Sequence, residues 1–407
     1  MSQAAQSGAA VNGGGENLPS YRWVVLALAA VTFLLTFVVR FTWPPLIPAV
    51  SPILGMSMGQ AGAFMSAFYI GYVITQIPAG ILADRFGVRT ILSVSLLLEG
   101  VTTFAMAYIP SYEMGFALRV ATGLGAGAVM SACARALMEW IPPKERGTAF
   151  GILLAAPSAG ILLSGWLVPV IEKSFGWQGA FQAVGIASII VGVLLFLLLR
   201  TSASSGGSEG SIMDGIRVVF GSKDIMLTGL AGFCLMWLEL GTATWTFAYV
   251  KELGFSRASA GGILVAYGFG GVLAPLASGI LSDKIGNRKY ILMASLAVVI
   301  PVTIIFGMQV TIFALTVVGF IFGFCSYFAN PHLSLMVSEF AGKKLAATAN
   351  GITNFMFQMA SIIGPMVMGY SLDITGSFNS IWWIMAAGPL LGILLLIPVN
   401  PDNIKNE

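Results

Sequence analysis

Four charged side chains stand inside long apolar stretches of the sequence: Arg40, Glu99, Arg119 and Glu239. A charge held at bilayer depth costs at least ~2.5 kcal/mol, so each of them requires a partner or a water-filled cavity. These residues are therefore the first candidates for binding or proton chemistry.

The two arginines fit an anion site. Arg40 precedes Pro44 and Pro45, where we expect the first helix to end, and Arg119 follows the start of the fourth helix. At about 1.5 Å per residue, both lie roughly 8 to 10 Å below the same membrane surface. Neither segment carries an acid one turn away, and a guanidinium matches a carboxylate with paired hydrogen bonds. The pattern favours a carboxylate clamp; the alternative is that each long side chain reaches up to water.

Glu239 and His332 are candidates for coupling solute movement to protons, because a buried carboxyl group or a lone imidazole can exchange a proton near neutral pH. The alternative for Glu239 is a hydrogen bond or ion pair that holds helices together. The alternative for His332 is a satisfied polar residue beside Pro331. For Glu99 we favour packing or interhelical hydrogen bonding.

Other polar side chains within the predicted helices could contact a substrate's hydroxyl groups or simply join helices, which is their commoner use. They are Tyr69, Tyr72, Gln76, Tyr267, Tyr327, Asn350, Asn354 and Gln358.

The elements that must position these groups are transmembrane helices. Of 407 residues, 57% are hydrophobic and 9% are charged, against about a quarter charged in soluble domains. Helices satisfy their own backbone groups in lipid, and about twenty apolar residues cross the hydrocarbon core. The sequence predicts an all-α integral membrane fold with twelve spans, at residues 23–43, 59–82, 90–108, 114–138, 147–171, 179–199, 226–250, 259–281, 290–308, 311–336, 347–371 and 380–398.

Basic residues predict the orientation. Of twenty Lys and Arg residues, only Lys173, Lys251 and Arg257 flank the predicted helices on the side opposite the N-terminal tail. The positive-inside rule therefore places both termini in the cytoplasm. It explains the net charge of +3 better than nucleic-acid binding does. Compact loops suggest a prokaryotic inner membrane.

The chain divides six helices from six at a Gly/Ser-rich linker that also holds a short surface helix. The predicted units are a disordered cytoplasmic tail at 1–20, a six-helix bundle at 21–200, the cytoplasmic linker at 201–224, a second bundle at 225–400 and a cytoplasmic tail at 401–407.

A short motif marks the loop after the second helix of each half. The first copy, GILADRFGVR, runs from Gly80 to Arg89, and the second, GILSDKIGNR, runs from Gly279 to Arg288. Its recurrence indicates a duplicated six-helix unit, with a solute site between the halves.

This motif resembles the loop signature of the major facilitator superfamily. The resemblance implies two pseudo-symmetric six-helix bundles whose first, fourth, seventh and tenth helices line a central cavity, which the two arginines, Glu239 and His332 would face. It also implies a latch on the cytoplasmic side in the outward-open state, formed by Asp84, Arg85, Arg89, Asp283 and Arg288. The alternative is that the basic residues only set the topology.

Longer stretches, at residues 119–181 and 351–378, resemble the anion:cation symporter branch of that superfamily, whose members carry organic anions. The resemblance implies that the two arginines bind the substrate carboxylate. Val39 and Ala126 stand where proton-coupled members carry acids. Proton symport and anion exchange therefore both stay open.

We predict a transporter that is not an enzyme and holds no cofactor or metal. The sequence has no phosphate-binding glycine loop followed by Lys-Ser or Lys-Thr, and its three cysteines lack metal-ligand spacing. The expected partners are a small organic anion, the bilayer and, in symport, protons, with one chain as the working unit. Two alternatives are a proton-driven exporter of drugs or hydrophobic compounds, suggested by AAPSAG at residues 155–160, and a non-transporting sensor.

Overall fold

The computed structural model describes residues 18–76, 78–200, 212–285, 287–342 and 345–401, and within these ranges its regular elements are helices. Parts of the predicted tails (1–20 and 401–407) and of the predicted linker (201–224), at residues 1–17, 402–407 and 201–211, lie outside the described residues. The helices are α1 (Leu18–Phe41), α2 (Trp43–Val50), α3 (Met58–Gln76), α4 (Ala79–Ala105), α5 (Tyr112–Ala126), α6 (Val129–Trp140), α7 (Arg146–Leu154), α8 (Ala156–Leu198), α9 (Ile212–Gly221), α10 (Lys223–Glu252), α11 (Arg257–Ile285), α12 (Arg288–Gly307), α13 (Ile312–Phe328), α14 (Asn330–Ala341), α15 (Ala346–Thr375) and α16 (Phe378–Leu396).

The first crossing continues past the prolines at which we expected it to end. α1 ends at Phe41 and α2 restarts at Trp43, because a proline in the first helical turn needs no N–H partner. Arg40 therefore lies deeper than predicted, ten residues before Val50, or about 15 Å along the helix. Its side chain is 4% exposed, so the alternative in which it reaches up to water is wrong.

Two glycines with positive φ divide helices α4 and α8. Gly87 (φ 77°) splits α4 and Gly176 (φ 71°) splits α8, because glycine adopts this left-handed conformation without a Cβ clash. In the described part of the chain, ten helices are long and apolar enough to cross a membrane. One of them, Arg146–Leu198, has 53 residues and would be about 80 Å long if unbroken. Dividing this segment at Gly176 gives two crossings in place of one, and α3 adds another. The helices are therefore consistent with the twelve predicted crossings.

Helices up to Leu198 pack mainly on one another, as do those from Lys223 onward. Two main seams join these bundles, α3 against α15 and α8 against α11, and α2 makes a smaller contact with α10. Gly62 lies so close to the Pro365 carbonyl in the first seam that a Cβ has no room. We call the membrane face where α1 begins and α16 ends the terminal face, and the opposite one the far face.

Each seam ends at the far face in an acidic clasp that the sequence analysis missed. In the first clasp, Asp373 near the end of α15 accepts 2.8 Å hydrogen bonds from the backbone N–H groups of Met58 and Gly59 at the start of α3. In the second, Glu172 pairs with Arg257 at the start of α11, at 3.1 Å. An acid at a helix N-terminus is also favoured by the helix dipole. The described contacts between the bundles run from mid-membrane to the far face, which is therefore the closed side.

Candidate substrate-binding site

Arg40 lies in a cage of four aromatic rings near the centre of the molecule. Its guanidinium carbon is 4.3 Å from the ring centre of Phe37, and the other distances are 4.9 Å to Phe68, 5.0 Å to Tyr69 and 4.9 Å to Tyr72. Such contacts stabilise a cation. Nη1 donates a 3.4 Å hydrogen bond to the Tyr69 hydroxyl, whereas the buried Nε has no hydrogen-bond partner. Among the side chains that the structure describes, no carboxylate forms an ion pair with this guanidinium.

Arg119 directs its donors to the backbone instead. Its Nε, Nη1 and Nη2 donate to the carbonyls of Phe64, Val39 and Arg40, at 3.2, 3.5 and 3.2 Å. The Arg40 carbonyl lacks its ordinary helical partner because the residue four positions later is Pro44, which has no N–H. Arg119 therefore joins α5 to α1 and α3 and fixes the backbone that carries Arg40. Pro44 was the sequence signal for this role, and the sequence analysis did not use it.

Tyrosines of the second bundle face the cage. Tyr327 interacts electrostatically with both Arg40 and Tyr69, and also with Glu239 in its own half. Tyr267 packs against Tyr327 with ring centres 6.1 Å apart, and its buried hydroxyl has no hydrogen-bond partner. The described residues at the centre of the molecule therefore include two cations, Arg40 and Arg119, and several hydroxyl groups.

α15 contributes a row of polar side chains. Gln358 donates to Asn354 at 3.2 Å and accepts from Ser361 at 3.0 Å, and Ser361 lies beside the Tyr69 hydroxyl. Asn350 instead donates a 2.7 Å hydrogen bond to a serine of α14, which ties these two helices together. Amide and hydroxyl groups of α15 thus reach the cage, while Asn350 joins helices.

Glu239 is 4% exposed, and its Oε1 accepts a 2.9 Å hydrogen bond from the Asn330 amide at the break between α13 and α14. Within the described residues, no cation pairs with this carboxyl group. A neutral amide offsets less of the cost of burying a carboxylate than a cation does. The position is therefore suited to a group that gains and loses a proton.

His332 is fully buried and joins α14 to α11. Its Nε2 lies 2.8 Å from the Ser278 hydroxyl, and that hydroxyl also lies 2.7 Å from the Phe328 carbonyl. Because a carbonyl can only accept, Ser278 gives it its single proton and must accept from the histidine Nε2–H. The Nδ1 atom is then a buried acceptor without a partner.

The predicted site residues converge in part. Those that meet around the cage are Arg40, Arg119, Tyr69, Tyr72, Tyr267, Tyr327, Asn354 and Gln358. Gln76 lies one turn beyond Tyr72 on α3, and its buried Oε1 has no hydrogen-bond partner. His332 and Asn350 are held in helix-joining contacts.

The described contacts of the predicted latch stay within each half. Arg85 and Arg89 lie over phenylalanine rings of the first bundle, and Arg288 pairs with a glutamate of the second. The side chains of Asp84 and Asp283 lie outside the described residues. These contacts agree with a molecule that is joined at the far face.

Comparison with known families and proteins gives one coherent answer. The family model described as Major Facilitator Superfamily matches residues 26–365 and 240–407. The chain is 27% identical to the "Probable sulfoacetate transporter SauU" of Cupriavidus necator, over 93% of this chain and 94% of that protein. It is 26% identical to the "Probable galactarate/D-glucarate transporter GudP" of Bacillus subtilis, over 94% and 92%.

Solved structures share the fold. A bacterial homologue of the human lysosomal transporter Spinster, in an inward-facing and occupied conformation, has a TM-score of 0.80 at 15% identity and covers 97% of this chain and 100% of that one. A D-xylose–proton symporter has a TM-score of 0.78 at 16% identity, over 94% and 99%. At such identities the likeness concerns the fold alone.

Proposed function

We propose, from the premise that this chain belongs to the Major Facilitator Superfamily, that it moves small organic anions by alternating access and binds their carboxylate through Arg40. Its relatives are transporters of sulfoacetate and sugar acids. The chain is accordingly a multi-pass membrane transporter of acid substrates and not an enzyme.

The observation that carries the proposal is the state of Arg40. A buried cation without a carboxylate partner is costly, and an incoming anion supplies the missing partner. Arg119 holds the Arg40 backbone in place, and it contacts the anion directly once one of its carbonyl hydrogen bonds is released. The surrounding tyrosines, Asn354 and Gln358 then bind hydroxyl groups of a sugar acid.

The transport cycle rests on the two bundles. We assign residues 21–200 and 225–400 as the moving bodies, 201–224 as their linker and the terminal face as cytoplasmic. The structure is then the inward-open form, with both acidic clasps closing the outer side. In the outward-open form, the latch residues Asp84, Arg85, Arg89, Asp283 and Arg288 close the cytoplasmic side.

Coupling is assigned to the second bundle, where Glu239 and His332 carry protons during turnover in symport; anion exchange is the other mode. One chain supplies both bundles, so a monomer in a prokaryotic inner membrane is the working unit. A cavity for lipophilic cations would favour acids over an unpaired arginine. The exporter alternative also finds no support among the relatives described above.

The test is thermal unfolding of the purified protein with galactarate, sulfoacetate, acetate and the lipophilic cation tetraphenylphosphonium. Carboxylates should raise the melting temperature, because a ligand that binds only the folded state stabilises it. Arg40→Gln should abolish this shift, whereas Lys173→Gln, an exposed control, should keep it. Stabilisation by the lipophilic cation alone, equal in wild type and Arg40→Gln, would overturn the proposal.

A further inference from the structure

Glu99, on α4, is a second buried acid that the proposed mechanism does not use. Its side chain is 0% exposed, and its Oε1 accepts a 3.1 Å hydrogen bond from the Thr36 hydroxyl of α1. Its Oε2 is buried and has no hydrogen-bond partner. A carboxylate anion is poorly solvated in such a place, whereas the protonated acid carries no charge to solvate.

The groups that face Glu99 come from each helix packed around it. α1 contributes Arg40, which lies one turn along from Thr36, and α3 contributes Tyr72. α6 contributes Cys133, and α5 contributes only the backbone of Gly125. From α8, Gly185 and Ile189 pack beside the neighbouring glycine and carry no ionisable group. Within the described residues, the cation that faces Glu99 is therefore Arg40.

We propose that Glu99 is a proton-binding site linked to anion binding at Arg40. The deprotonated carboxylate is not ion-paired with the Arg40 guanidinium but is attracted to it, and the substrate anion binds that same guanidinium. When the anion binds, it takes over that cation, and Glu99 takes up a proton from solvent on a carboxylate oxygen. No other bond changes. This linkage rests on the proposed function, because the anion must bind at Arg40.

Linkage is reciprocal, so protons strengthen anion binding by the same factor by which the anion strengthens proton binding. Glu252, exposed at the far-face end of α10, serves as the glutamate control.

The first experiment measures galactarate affinity against pH. In the wild type, affinity should rise as pH falls, by a factor within the roughly 5- to 150-fold range of coupled sites. Glu99→Gln, which mimics the protonated acid, should bind tightly at every pH. Glu99→Asp and Glu252→Gln, an exposed control, should keep the pH dependence. A Glu99→Gln variant with the wild-type pH dependence would refute the linkage.

The second experiment does not need an anion. Infrared difference spectra between neutral and alkaline pH, where exposed carboxylates stay ionised, should contain a protonated-carboxyl component that is lost in Glu99→Gln and kept in Glu252→Gln. If the spectrum of Glu99→Gln equals that of the wild type, the proton site is wrong. If this component behaves as expected but galactarate fails to bind the wild type, the proton site stands and the proposed function fails.

Discussion

Arg40 and Arg119 lie side by side in the first bundle, are 4% and 1% exposed, and both contact the ring of Phe68. Their surroundings differ in hydrogen-bond acceptors. Arg119 meets three backbone carbonyls, whereas Arg40 meets aromatic rings and a single tyrosine hydroxyl. The comparison teaches that available acceptors, more than depth or residue type, decide whether a buried arginine supports the fold or stays ready for a ligand.

The largest expected effect comes from Arg119→Leu. It removes the donor to three buried carbonyls, one of which Pro44 has already deprived of its helical partner. Leaving the Arg40 carbonyl buried without a partner should cost about 1 to 3 kcal/mol of the free energy of unfolding. Thermal unfolding of the ligand-free protein in detergent measures it.

Arg119→Lys and Arg40→Gln are the matched variants for this measurement. Lysine has one point of donation and cannot span three carbonyls, so it should rescue only a part of the loss. Arg40→Gln should leave the ligand-free melting temperature close to that of the wild type. Equal losses in Arg119→Leu and Arg40→Gln would remove the distinction between the two arginines.

An intermediate effect is expected for Phe68→Leu, because this ring lies 4.9 Å from the Arg40 guanidinium and 5.2 Å from that of Arg119. Stability and anion affinity should each fall by roughly 1 kcal/mol, the scale of a cation–π contact. Paired thermal-unfolding and galactarate-binding measurements test this. Phe37 offers the control, because among the described contacts its ring touches the guanidinium of Arg40 and not that of Arg119. Phe37→Leu should reduce the free energy of galactarate binding more than it reduces the free energy of unfolding.

The smallest effect is expected for Tyr69→Phe. It deletes one hydrogen bond from the Arg40 guanidinium and should weaken galactarate binding about two- to threefold, the low end of the hydrogen-bond range, because the 3.4 Å bond is long. Binding isotherms at fixed pH measure the change. Tyr267→Phe, which removes a buried hydroxyl without a partner, should leave stability unchanged or slightly higher. A fall in stability in Tyr267→Phe that is as large, in free energy, as the fall in galactarate binding in Tyr69→Phe would contradict this assignment.

The helices were predictable because bilayer thickness sets their length and apolar stretches of that length can be recognised in the sequence. The polar members of the cage, Arg40, Tyr69 and Tyr72, were also predictable, since each polar group in lipid demands a role, whereas the rings of Phe37 and Phe68 were not predicted. It was harder to predict that Arg119 supports the fold while Arg40 is available for a ligand, because these roles depend on backbone carbonyls of other helices. The clasp at Asp373 gave no local signal, because its partner Met58 lies 315 residues away in sequence.

The two far-face clasps have a consequence for the kinetics of transport. The two clasps lie at the ends of different seams. The bundles can separate at the far face only when both clasps break, so the free-energy barrier to opening includes a contribution from each clasp. Arg257 is 50% exposed, so dissolved ions weaken its pair with Glu172, whereas the hydrogen bonds from backbone amides to Asp373 are less sensitive to salt. In the alternating access proposed above, ionic strength therefore acts on one seam more than on the other, and added salt lowers the contribution of the Glu172–Arg257 pair to the opening barrier more than that of Asp373.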